Sequence, residues 1–68
     1  MRPTRYEIVV VGELSDRFGL AFEGMDLETG SGRTTISGLV VDQAQLHGLI
    51  DRVAELGLEL VDIRGAGT

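Results

Sequence analysis

The stretch DQAQLHGLIDRVAELGLEL, residues 42–60, constrains the fold more than any other part of the chain. Asp42 is a good N-cap residue, and Gln45 three positions later completes a capping-box-like pair. Leu46, Leu49, Ile50, Val53 and Leu56 then recur in the i, i+3, i+4, i+7, i+10 pattern of a core-facing stripe. Gly57 suits the position just past a helix end, and Leu58 after it can make the apolar contact of a Schellman stop. LELVDIR, residues 58–64, follows at once and reads as a strand. An amphipathic helix that is bounded at both ends and runs into a strand needs a sheet to lie against.

The rest of the chain supplies strands. RYEIVVVG, residues 5–12, carries four β-branched residues in a row, Ile8 to Val11, and suits a strand that is apolar on both faces. ELSDRFGLAFEG, residues 13–24, predicts a first helix, with Ser15 as its cap, Asp16 near its positive end and Leu14, Phe18 and Phe22 as its stripe; Gly19 weakens it and Gly24 can stop it. Residues 23–41 predict a hairpin. Met25, Leu27 and Thr29 alternate with Asp26 and Glu28, GSG at 30–32 supplies the turn, and Gly38 marks a bulge or a close approach. The order β-α-β-β-α-β implies an α+β ferredoxin-like sandwich, a four-stranded antiparallel sheet with two helices on one face. Residues 1–68 form a single domain on this reading, with 1–4 and 65–68 as tails.

At 68 residues the chain is short of core, and it contains no cysteine to staple it. A lone histidine without cysteine argues against structural zinc, so no metal or cofactor is expected. Association is the remaining common route to stability. Two helices would cover one face of the sheet; on the other, Val9, Val11, Val61 and Ile63 are expected to form a second apolar stripe through which copies associate, most simply as a homodimer. Eleven acidic residues face six basic ones, all arginine, for a net charge of −5, and no basic run or stripe occurs. That balance argues against nucleic acid and anionic membrane surfaces as partners. The absence of an apolar run long enough for a bilayer, or of a signal-like start, makes the cytoplasm the expected location.

His47 is the chain's only histidine, and Asp51 lies four residues on, along the same side of the helix. A carboxylate so placed can orient an imidazole for acid–base work. No evident nucleophile or second acid–base group accompanies the pair, so the favoured reading is a half-exposed helix residue. GSGRTT, residues 30–35, lacks the Lys-Ser/Thr ending of a phosphate loop and leads into a strand, which makes it a hairpin turn. The carboxylates of DLE, residues 26–28, and of Asp62 have no spacing that forces convergence and read as a solvated face.

RYEIVVVGELS and DQAQLHGLIDRVAELGLEL together resemble a group of short uncharacterised actinobacterial proteins with a YEIxVxGxL strand and a DQAxLHGL helix. The resemblance covers nearly the whole chain. It implies a stand-alone bacterial domain, places Asp42, Gln43, His47 and Gly48 in the group's motif, suggests close backbone packing at Gly48, and brings no catalytic residues with it. The expected function is a small self-associating module without catalytic activity that acts through a protein partner, with Asp42, Gln43, His47 and Asp51 as candidate contacts. Two alternatives stand beside it: a small-ligand binding or sensing domain, and a small dimeric enzyme using His47.

Overall fold

The computed structural model describes residues 2–22 and 24–65. Four strands, Thr4–Val11 (β1), Asp26–Gly30 (β2), Arg33–Val40 (β3) and Leu60–Gly65 (β4), form one antiparallel sheet in the order β2-β3-β1-β4. Among the described residues a single α-helix, Gln43–Glu55 (α1), lies on one face. The ferredoxin-like expectation of two helices is therefore overturned. Among the described residues between β1 and β2 stands only a 3-10 turn, Asp16–Leu20. Thr4 and Gly65, expected in tails, belong to strands; residues 66–68 of the expected tail lie outside the described residues.

The first helix fails for local reasons. Phe18 N–H donates to the Ser15 carbonyl at 3.0 Å, Ala21 to Phe18 at 3.1 Å and Phe22 to Gly19 at 3.3 Å, all three residues back. The Ser15 side chain makes no cap hydrogen bond. The residues before the turn are held to β3: the buried Thr34 hydroxyl accepts from Leu14 N–H at 2.9 Å and donates to the Gly12 carbonyl at 2.7 Å. Too few residues remain before Gly24, at φ +83°, for an α-helix to repay its nucleation, and Gly19 sits among them. The turn still delivers its apolar cargo, because Phe22 is the largest fully buried side chain.

The other local signals act as read. Ser31 and Gly32 have φ of 56° and 76°, the pair of positive values that a two-residue hairpin turn needs. Asp42 Oδ1 accepts from Gln45 N–H at 2.8 Å, and Gln45 Oε1 accepts from Val41 N–H at 2.7 Å. The reciprocal bond thus reaches one residue beyond the usual capping box. At the far end Gly57 has φ +72°, Gly57 N–H donates to the Ala54 carbonyl and Leu58 N–H to the Val53 carbonyl, each at 3.0 Å, which is the Schellman pattern. Gly38 is a close approach: a Cβ there would stand 2.5 Å from Met25 Sδ.

The core lies between sheet and helix. Ile8, Val10, Phe22, Ile36 and Val53 are its buried centre, with Leu14, Met25, Leu27, Leu49, Leu58 and Ile63 packed around them. Ile8 is paired with Ile36 on one side and Ile63 on the other, so three branched side chains stand in a row across the sheet.

Candidate interaction surface

The sheet's open face carries Arg5, Glu7, Val9 and Val11 from β1, flanked in register by Leu39, Ser37, Thr35 and Arg33 from β3 and by Arg64 and Asp62 from β4. Asp26 and Glu28 of β2 extend it. Arg5 donates to Ser37 Oγ at 3.1 Å and stands 3.7 Å from Asp26; Arg64 pairs with Asp62 at 3.1 Å. These exposed pairs contribute little to stability.

The expected stripe of Val9, Val11, Val61 and Ile63 does not assemble there. Val9 and Val11 do share the open face, Val9 buried among its neighbours and Val11 exposed. Ile63 stands beside Ile8 on the helix-covered face. The cause is a bulge in β4: Val10 pairs with Leu60 and Val9 with Asp62, which leaves Val61 as the extra residue. Alternation counted from Leu58 puts residue 63 outward; the inserted residue reverses the phase and turns Ile63 in. The charged Asp62 and Arg64 on either side of Ile63 were the sequence signal for this orientation.

Along α1, Gln43, His47 and Asp51 are all exposed and four residues apart, so they make one row on the outer side. Asp42 is set apart from them, because its carboxylate holds the helix cap. Among the described residues the ion pairs are Arg5–Asp26 and Arg64–Asp62; His47 and Asp51 do not form one. Gly48 is exposed, and a Cβ there would meet nothing within 4 Å. Close backbone packing at Gly48 within the chain is thus corrected: the position lies on the side of α1 away from the sheet. Sequence reasoning missed Arg52, whose guanidinium donates to the Ala21 carbonyl at 2.6 Å and ties α1 to the 3-10 segment.

Large apolar side chains remain in solvent beyond Val11 and Leu39 of the open face. Leu20 is 84% exposed, and Leu56, Leu60 and Val61 are 40%, 42% and 40% exposed. Leu60 and Val61 open β4, one of the two outer strands of the sheet; β2 is the other. Among the described residues no helix is long and apolar enough to cross a membrane.

These features define a small α+β domain with one helix on an antiparallel sheet. The chain belongs to the family described as domain of unknown function DUF8691, whose model matches residues 5–64, from within β1 to within β4. No curated protein and no solved structure matches it.

Proposed function

We propose that the chain is a small self-associating interaction module without catalytic activity, which acts through a protein partner in the cytoplasm. The observation that carries this reading is the partial cover of the sheet. One helix, with Val53 as its buried side chain, serves four strands, and Leu20, Leu56, Leu60 and Val61 stay exposed. A chain this short buries only about 60% of the surface it exposes when unfolded. Association covers such side chains and stabilises the native state by mass action. The row Gln43, His47 and Asp51, beside the open backbone of Gly48, is assigned to the further partner.

Sedimentation equilibrium over a concentration series tests the reading. The expected result is a mass that rises above the 7.3 kDa of one chain as concentration increases. A mass that stays at one chain throughout rejects self-association. His47→Gln should leave association intact and weaken capture of a partner. A turnover activity lost in that variant, with the fold preserved, would replace the module by the enzyme reading.

A further inference from the structure

We infer that the free edge of β4 is the seam through which two copies join, in antiparallel register about a two-fold axis at Ile63; this rests on the self-association proposed above. The backbone directions come first. Val11 N–H donates to the Glu59 carbonyl at 2.9 Å, whereas Gly12 N–H donates to the Gly32 carbonyl at 2.6 Å. Odd-numbered residues of β1 therefore bond toward β4 and even-numbered ones toward β3. Val9 and Glu7 face Asp62 and Arg64, so the backbone groups of those two β4 residues are occupied by β1. Ile63 and Gly65 point their N–H and C=O the other way, to the open edge.

A strand with a free edge invites a second strand unless its side chains forbid it. The two outer strands differ here. β2 carries Asp26 and Glu28 on one face, and the antiparallel registers of β2 with its own copy about Asp26, Leu27 or Glu28, which overlap the strands most fully, set acid against acid. β4 carries Asp62 and Arg64. With Ile63 opposite Ile63 of the second copy, Asp62 faces Arg64 and Arg64 faces Asp62. Each copy already holds its own two charges 3.1 Å apart, so the pair of copies closes a square of alternating charge on the open face. Shifting the axis to Asp62 sets Asp62 against itself, and shifting it to Arg64 sets Arg64 against itself. The charge pattern thus selects one register. In that register the two Ile63 backbones exchange reciprocal hydrogen bonds, Gly65 comes opposite Val61, and the bulge at Val61 marks the seam's end. Both copies of α1 lie on the same side of the doubled sheet, and the half-buried Ile63 side chains meet on that side.

Charge exchange tests the seam on the full chain. Asp62→Arg makes the edge all positive and Arg64→Asp makes it all negative. Each variant alone should dimerise about tenfold more weakly or worse than the unaltered chain. An equimolar mixture of the two should regain association as a heterodimer, because every cross-strand pair is then opposite in sign. Circular dichroism of each variant should match the unaltered chain, since both positions are exposed. As a second readout, amide hydrogen exchange at Ile63 and Gly65 should slow with rising concentration of the unaltered chain, while Asp62 and Arg64, already bonded to β1, change little. An unaltered chain that stays monomeric overturns both the seam and the self-association beneath it. A dimer that tolerates both single substitutions, or leaves the Ile63 and Gly65 amides unprotected, overturns the seam and leaves self-association standing. If each variant is monomeric but the mixture does not reassociate, the register is wrong.

Discussion

The Thr34 hydroxyl donates a hydrogen bond to the carbonyl of Gly12 at 2.7 Å and, through the same oxygen, accepts from the N–H of Leu14 at 2.9 Å. One buried side chain thus ties the exit of β1 to the start of β3 and fixes where the 3-10 segment begins. Thr34→Val keeps the shape and removes both bonds. It should cost about 1–3 kcal/mol, because a backbone donor and an acceptor lose their partner. Thr35→Val, on the open face, should cost less. Urea denaturation of both variants checks the order, and an equal or inverted order would show that the Thr34 bonds do not hold the segment.

Two glycines should respond to alanine with opposite signs. Gly57 sits at φ +72°, where a Cβ is strained, so Gly57→Ala should destabilise by about 1–2 kcal/mol. Gly48 lies inside α1 with open space around its missing Cβ, so Gly48→Ala should stabilise by about 0.5–1 kcal/mol. Thermal melts at one fixed concentration read both. A destabilising Gly48→Ala would mean that another chain already packs on that side of α1.

The 3-10 segment makes a further distinction measurable. In a regular helix Phe18 and Phe22 would share one stripe and comparable burial. Here Phe22 is 1% exposed, while Phe18 is only partly covered. Phe22→Ala should therefore cost about 3–5 kcal/mol, and Phe18→Ala clearly less. Equal losses in chemical denaturation would restore the α-helix at that position.

Helix α1 separates its cap from its packing. Asp42→Ala should cost about 0.5–2 kcal/mol through the lost bond to Gln45 N–H. Leu49→Ala, which opens a gap beside the core cluster, should cost more, about 2–5 kcal/mol. Denaturant melts that place the cap change above the packing change would contradict the assigned buried side of α1.

How much the sequence disclosed follows from how far each signal reaches. Both ends of α1 were legible because Asp42, Gln45 and Gly57 act on backbone groups within a few residues. The turn at Ser31 and Gly32 was legible because its dihedral requirement is local. The helix expected over residues 13–24 does not form, because the bonds that shorten it come from Thr34, far along the chain. Ile63 was assigned to the wrong face because one extra residue at Val61 reverses the alternation, and a bulge is stabilised by the neighbouring strand. For the candidate site, helical spacing alone put His47 and Asp51 on one side of α1, whereas Gln43 entered through the resemblance and its place in the same row emerged with the structure. The contrast between the two outer edges became visible only when the strand order was known.

The central place of β1 has a consequence for how the molecule is made. β1 leaves the ribosome before every strand it pairs with, and β4, which covers one of its sides, emerges after all the other described elements. Its apolar run Ile8 to Val11 can pair with β3 once the hairpin is made, but its other edge stays unpaired until α1 and β4 have followed. The pairing that ends this wait joins the first described strand to the last, so closing the sheet carries the slow-folding cost of distant contacts. Until β4 has followed, the edge of β1 that will receive it stays open to other strands.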